Sequence, residues 1–315
     1  MKIVFMGTPE HAVTVLKSLR EAGHQSLCVV TQPDRPAGRG QKLASPPVKE
    51  YTLKNSLPLQ QPESLKGNEE FGALLRSIKP DIIIVVAYGK ILPRPLLDIP
   101  RFGCLNVHAS LLPKYRGAAP VQWALLKGEN VTGVTVMKID ERLDTGDILL
   151  QERVGIEDKD NAETLMKKLF ERGSVLLIEA LKQIEEGKAR YQKQNDAEAT
   201  FAPAISKESA EIEWRKPAEE IHNRIRALIP WPVAHTFFRE KLLKIWESEI
   251  HVPSLVSGSM PPGTIVSILK NLGFIISTGS GGLLVRRLQL EGKKVIGAYD
   301  FAIGHDVKAG ETLPS

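Results

Sequence analysis

The run IIIVVA, Ile82 to Ala87, is apolar at every position. Successive strand side chains alternate between faces, so such a run is apolar on both and needs cover on both. The preceding segment EEFGALLRSIK offers one cover: Phe71, Leu74, Leu75 and Ile78 recur at helical spacing, and Pro80 follows. A similar arrangement opens the chain. KIVFMG and SLCVVT read as strands, and between them EHAVTVLKSLREAG places Ala12, Val15, Leu16 and Leu19 on one helical face, with Gly23 as its stop. Strands alternating with amphipathic helices specify a doubly wound α/β domain with a mainly parallel sheet.

The pattern changes after residue 130. GVTVMKI and ILLQERV alternate as half-buried strands, joined by DERLDTGD as a β-hairpin, and a long helix is expected from about Ala162 to Glu186. A polar stretch without periodicity follows. Beyond it, AEEIHNRIRAL reads as a short helix, and several short strands separated by Gly, Pro and Ser indicate a small barrel of oligonucleotide-binding type. At 315 residues the chain exceeds what one core usually supports. The expected division is a catalytic domain at 1–189, a linker at 190–207 and a C-terminal β-barrel domain at 208–315.

One segment breaks the α/β rhythm. QPDRPAGRGQKLASPPVKEY, residues 32–51, occupies the place of a short strand-to-helix loop and carries Arg35, Arg39, Lys42 and Lys49 among prolines and glycines. A tolerated surface insertion and a basic arm for phosphates both fit it. The net charge of +5 and a pI near 9.0 allow a polyanionic partner. No apolar run approaches the roughly 18 residues of a spanning helix. The start MKIVFMGTPE reads as a first strand rather than a signal peptide, and Cys28 and Cys104 sit inside apolar runs as expected of reduced thiols. These features predict a cytoplasmic protein with no membrane association and a monomer by default.

For chemistry, three places stand out. GTPEHA follows the first strand but lacks the G-x-G-x-x-G spacing of a dinucleotide site, so a structural turn and a ligand wall both remain open. In CLNVHASLLPKYRG, Asn106 and His108 share a strand face where strand becomes loop. An isolated strand-end histidine is more often structural, and the Asn106 partner brings the two readings level. The hairpin tip carries Asp140, Glu141, Asp144 and Asp147 without an EF-hand pattern or a His/Cys cluster, so no metal is expected. A buried Leu143 is expected to hold Asp144 in place. No serine-based triad signature occurs.

NVHASLLPKYRGAAPVQWAL and TGVTVMKIDERLDTGDIL together resemble the formyltransferases that use 10-formyltetrahydrofolate. That resemblance extends through GTPEHA, QPDRPAGRG and LQLEGKKVIGAYDFAIG to essentially the whole chain, and narrows to the branch acting on charged tRNA. It implies catalysis by Asn106, His108 and Asp144. It also implies folate binding by Val86, Ala87, Tyr88 and Gly89 and by Ser110, Leu111, Leu112 and Pro113. The implied acceptor is initiator methionyl-tRNA, contacted by Arg35, Arg39, Lys42 and Lys207, with 10-formyltetrahydrofolate as donor and no metal. A formyltransferase acting on a small amine, such as a sugar nucleotide or glycinamide ribonucleotide, is the alternative. The chain departs from the family pattern at His11, where Phe is usual near the methionyl side chain, and at Arg142, where Gly is usual. A basic residue usual ahead of Ser206 is missing as well, leaving Lys207 as the linker cation.

Overall fold

The structure, a computed structural model, describes residues 1–37, 42–251 and 260–314. Its chain path divides into two compact units. The first comprises Met1–Pro120, Val131–Gly155 and Met166–Ala202; the second comprises Val121–Asn130, Ile156–Leu165 and Pro203–Ser315.

The elements of the first half run β1 (Lys2–Gly7), α1 (Glu10–Glu21), β2 (Gln25–Val30), β3 (Arg35–Ala37), β4 (Lys42–Ala44), α2 (Pro47–Lys54), β5 (Leu59–Gln60), α3 (Glu69–Ile78), β6 (Ile82–Val86), α4 (Arg94–Leu97) and β7 (Cys104–His108). Then follow α5 (Pro120–Leu126), β8 (Val131–Lys138), β9 (Ile148–Gly155) and α6 (Ala162–Glu185). Seven strands form one sheet in the order β5-β2-β1-β6-β7-β8-β9. The first five pair in parallel, and β8 and β9 extend the sheet antiparallel. The order reverses between β1 and β6, which places a crevice at their carboxyl ends, beside Gly7 and Val86. The run IIIVV is buried at every position, as its two-faced apolarity requires.

The segment left open between a surface insertion and a basic arm carries local order. β3 and β4 pair as a short antiparallel ladder, and α2 begins at Pro47, a residue whose fixed φ and missing N–H suit the first helical turn. Lys49 donates to both carboxylate oxygens of Asp34, at 2.9 and 2.7 Å, and Gln61 joins them. This cation is tied to the domain's own carboxylate.

In the second unit, α7 (Ala218–Ala227), β10 (His235–Phe238), β11 (Lys241–His251), β12 (Ile265–Leu269), β13 (Gly273–Ser277), β14 (Gly282–Leu290), β15 (Ile296–Gly297) and α8 (Ala298–Gly304) follow in order. The strands form an antiparallel sheet, β10-β11-β14-β13-β12 with β15 on β14. Its apolar cluster runs from Trp214 and Ile221 through Leu243, Phe274 and Leu288 to Phe301.

Candidate active site

β7 alternates Leu105 and Val107 against Asn106 and His108, and it pairs with β6 on one side and β8 on the other. Held from both sides, the strand fixes the directions of Asn106 and His108. His108 Nε2 lies 3.0 Å from the Tyr115 carbonyl oxygen. A carbonyl can only accept, so Nε2 carries the hydrogen and, in the neutral ring, Nδ1 presents a lone pair. That Nδ1 lies 3.7 Å from Asp144 Oδ2, with the two side chains only 7% and 10% exposed. The separation is too long for a hydrogen bond but short enough for strong pairing once the imidazole is charged. Asn106 Nδ2 donates weakly to Asp144 Oδ1 at 3.5 Å. The three side chains therefore meet at one corner of the first unit.

Asp144 is held by backbone rather than by its neighbour in sequence. Gly117 N–H donates to its Oδ2 at 2.9 Å, and Gln194 Nε2 donates to its carbonyl at 2.9 Å. Leu143, expected to be buried beside it, is 62% exposed and supplies no anchor. The tip turns sharply: Asp144 sits at φ +54°, and a Cβ on Gly146 would lie 1.9 Å from the Lys138 carbonyl oxygen. Only glycine permits that approach. Asp140 closes the turn by accepting from Thr145 Oγ1 and the Arg142 amide, while the Arg142 side chain stays exposed.

The family model described as Formyl transferase matches residues 1–181, and that of the Formyl transferase C-terminal domain matches residues 204–306. A methionyl-tRNA formyltransferase of Caldanaerobacter subterraneus subsp. tengcongensis is 48% identical over 99% of this chain and 100% of its own length. The chain belongs to the methionyl-tRNA formyltransferase family. Among solved structures, HypX from Aquifex aeolicus in complex with tetrahydrofolic acid aligns with a TM-score of 0.67 at 18% identity, covering all of this chain and 49% of that one. An N-formyltransferase from Helicobacter canadensis, complexed with folinic acid and dTDP-3-aminofucose, aligns at 0.65 and 21% identity over 90% of this chain and 98% of its own. Both likenesses concern the fold.

In this formyltransferase the two segments expected to wall the folate differ in what they leave available. Val86 and Tyr88 are buried, whereas Ala87 at φ +45° and Gly89 at φ +83° are exposed at the end of β6. Thr8 Oγ1 and Gln32 Nε2 both donate to the Tyr88 carbonyl, tying GTPEHA to this turn. Burial raises the Tyr88 phenol to about 12. Ser110 to Pro113 are instead bound up internally. Ser110 Oγ donates to the Lys114 carbonyl, and the buried Thr135 hydroxyl links the Ser110 carbonyl to the Leu112 amide. Gln151 closes the set on the Leu112 carbonyl and Thr135 Oγ1. The SLLP turn is thus a backbone braced on the Thr135 hydroxyl and the Gln151 amide.

Of the expected tRNA contacts, Arg35 is exposed on β3, Lys42 lies on the β4 backbone and Arg39 falls outside the described residues. Lys207 is exposed ahead of a single 3-10 turn, Glu208–Ala210. His11 stacks on Phe170 with ring centroids 4.3 Å apart, and burial lowers its imidazole to about 4. Neutral at physiological pH, it serves there as a flat ring, much as the family's phenylalanine would. Sequence reasoning missed Arg116, Gln194, Thr135 and Gln151. Arg116 stands inside the recognised YRG motif, but nothing in local spacing points to its partners, which lie 78 and 80 residues away.

Proposed function

We propose that Asn106, His108 and Asp144 carry the transfer, with the Gly117 amide fixing the carboxylate. The enzyme moves the formyl group of 10-formyltetrahydrofolate onto the free amino group of methionyl-initiator tRNA. High identity over the full length to a methionyl-tRNA formyltransferase favours this acceptor over a small amine. The observation that carries the assignment of roles is the convergence of an amide, an imidazole and a carboxylate on one nearly dry corner.

The folate co-substrate supplies an activated formyl carbon, and the exposed backbone at Ala87 and Gly89 fits the edge of its ring system at the β1–β6 crevice. As the amine nitrogen bonds to the formyl carbon it sheds a proton, and the folate nitrogen gains one as its bond to that carbon breaks. With Nε2–H committed to Tyr115, His108 takes and returns this proton at Nδ1, and Asp144 stabilises the imidazolium formed between the two events. Asn106 directs one N–H toward Asp144 and keeps the other for the developing oxyanion. Arg35, Arg39, Lys42 and Lys207 contact the tRNA, for which phosphate attraction and an arginine fork are suited.

The same reading makes the enzyme a cytoplasmic monomer. Cys28 and Cys104 are free and buried, and no described helix is long and apolar enough to cross a membrane. Light scattering at the 34.8 kDa chain mass would check the monomer. For the function, initial rates with charged initiator tRNA are compared with those on an amino-sugar nucleotide, using the same formyl donor. Efficient turnover on the tRNA alone is expected; preference for the sugar would overturn the acceptor.

A further inference from the structure

The stretch around Gln194 has no periodicity and reads as a linker, yet one of its side chains closes the catalytic corner. Gln194 Nε2 donates to two carbonyls of the hairpin tip, Asp144 at 2.9 Å and Gly146 at 2.8 Å. Its Oε1 accepts from Arg116 Nε at 3.0 Å and Nη2 at 2.8 Å. The orientation of this amide follows from its partners, since a guanidinium only donates and carbonyls only accept. Every hydrogen-bonding position of the carboxamide is in use.

Arg116 is buried, with a side chain 5% exposed, and its Nη2 also bonds Asp196 Oδ1 at 2.7 Å. It stands between Tyr115, whose carbonyl holds His108, and Gly117, whose amide holds Asp144. The following chain fastens the same loop: Tyr115 N–H donates to Thr200 Oγ1, Arg116 N–H to the Thr200 carbonyl, and Ala202 N–H to the Arg116 carbonyl. One segment thus grips both the loop that positions His108 and the tip that carries Asp144.

Asp144 needs such a grip. At φ +54° it occupies the left-handed region, which residues with a Cβ seldom adopt. Its conformation is imposed from outside, and Gln194 is the side chain bonded to its backbone. We propose that Gln194 is a positioning residue for formyl transfer, setting the Asp144 carboxylate against His108 through the hairpin-tip backbone, with Arg116 orienting its amide. This rests on the reading of Asp144 as part of the catalytic set. A plainer role, providing Arg116 with a partner, is shared with Asp196, which takes Nη2.

Gln194→Glu separates these roles. The substitution keeps shape and improves the partner offered to Arg116, but it replaces two N–H donors with oxygens facing two carbonyls. The expected result is a loss of kcat of about 10- to 100-fold, the scale of a small misplacement of a reacting group. KM for folate and for charged tRNA should stay within about two-fold. Gln194→Met, which removes the donors without repulsion together with the acceptor of Arg116, should show the same split and serves if the glutamate variant does not fold. Asp196→Asn leaves the amide bonds intact and should keep near-normal kcat.

A cycle with Asp144→Asn, read in single turnovers, completes the test. Once Asp144 is disabled, Gln194→Glu should cost little more. If Asp144→Asn itself keeps normal turnover, the catalytic reading of Asp144 falls. Losing activity in Asp144→Asn while Gln194→Glu and Gln194→Met keep wild-type kcat would overturn the positioning role alone. Additive losses would overturn it as well, since they would mean a structural effect independent of the carboxylate.

Discussion

Two regions of the formyltransferase are held together differently: the polar corner around His108 in the first unit and the apolar cluster around Phe274 in the second. At the corner, His108, Ser110, Arg116 and Thr135 are all buried, each with a named partner. In the second, the sheet β10–β14 closes over an apolar cluster in which Trp214, Phe274 and Phe301 are almost wholly buried. A satisfied polar network specifies one geometry and loses it when a single bond is removed. An apolar cluster responds to volume, and what it loses is stability. Damage at the corner should therefore appear chiefly in turnover, and damage in the second unit's apolar cluster in unfolding.

Phe274→Ala tests the second half of that contrast. Truncating this buried ring should cost about 3 to 5 kcal/mol in the stability of the second unit, read by denaturant unfolding, with kcat on saturating tRNA little changed where the protein is folded. A collapse of kcat in the folded variant would break the comparison. His108→Ala tests the first half. It should slow turnover by about 100- to 1000-fold while the protein remains folded by circular dichroism, since the proton-transfer partner is lost. Turnover near that of the wild type would remove the imidazole from the mechanism.

His11 sharpens the contrast, because it is a polar ring in the first unit used as packing. Its imidazole titrates at about 4 in the folded protein against an ordinary 6.5, so the unfolded chain binds the extra proton first. Stability is full above the ordinary value, falls as pH drops from 6.5 toward 4, and levels below that. The loss is at most about 3 kcal/mol, from the size of the shift. His11→Phe should keep the stack on Phe170 and abolish this loss. Denaturant curves at about pH 7.5 and pH 4.5 should show the variant gaining on the wild type at the lower value. Equal gaps at both would contradict the burial argument.

The smallest effect is expected at Gly146. An added Cβ would meet the Lys138 carbonyl, so Gly146→Ala must shift the tip that carries Asp144. A kcat loss of about 10- to 100-fold with little change in KM is expected. A matching rise in KM for folate would instead place the tip in the donor site.

The long helix was legible to within a residue, expected to end at Glu186 and observed to end at Glu185. The hairpin of β8 and β9 was equally plain, because alternation of apolar residues is a local signal. Residues 32–51 were less so: the β3–β4 ladder pairs strands of three residues each, too short to carry a hydrophobic alternation. At the proposed catalytic corner, Asn106 and His108 could be put on one face from spacing alone. The anchor of Asp144 could not, and the exposed Leu143 shows why. A hydrophobic residue within a tip carries no information on which way the tip turns.

What the sequence determined by itself is therefore what repeats along the chain: the two-faced run in β6, the helical stripes of α1 and α3, and the shared face of Asn106 and His108 on β7. Tertiary structure decided the rest of the corner. It set the hydrogen on His108 Nε2 by supplying the Tyr115 carbonyl, turned Asp144 toward His108 through the Gly117 amide, and brought Gln194 across 50 residues of chain to the hairpin tip. Periodicity records which side of an element faces a core, whereas a hydrogen bond between distant loops leaves no period to read. It exists only once the sheet has brought the two loops together.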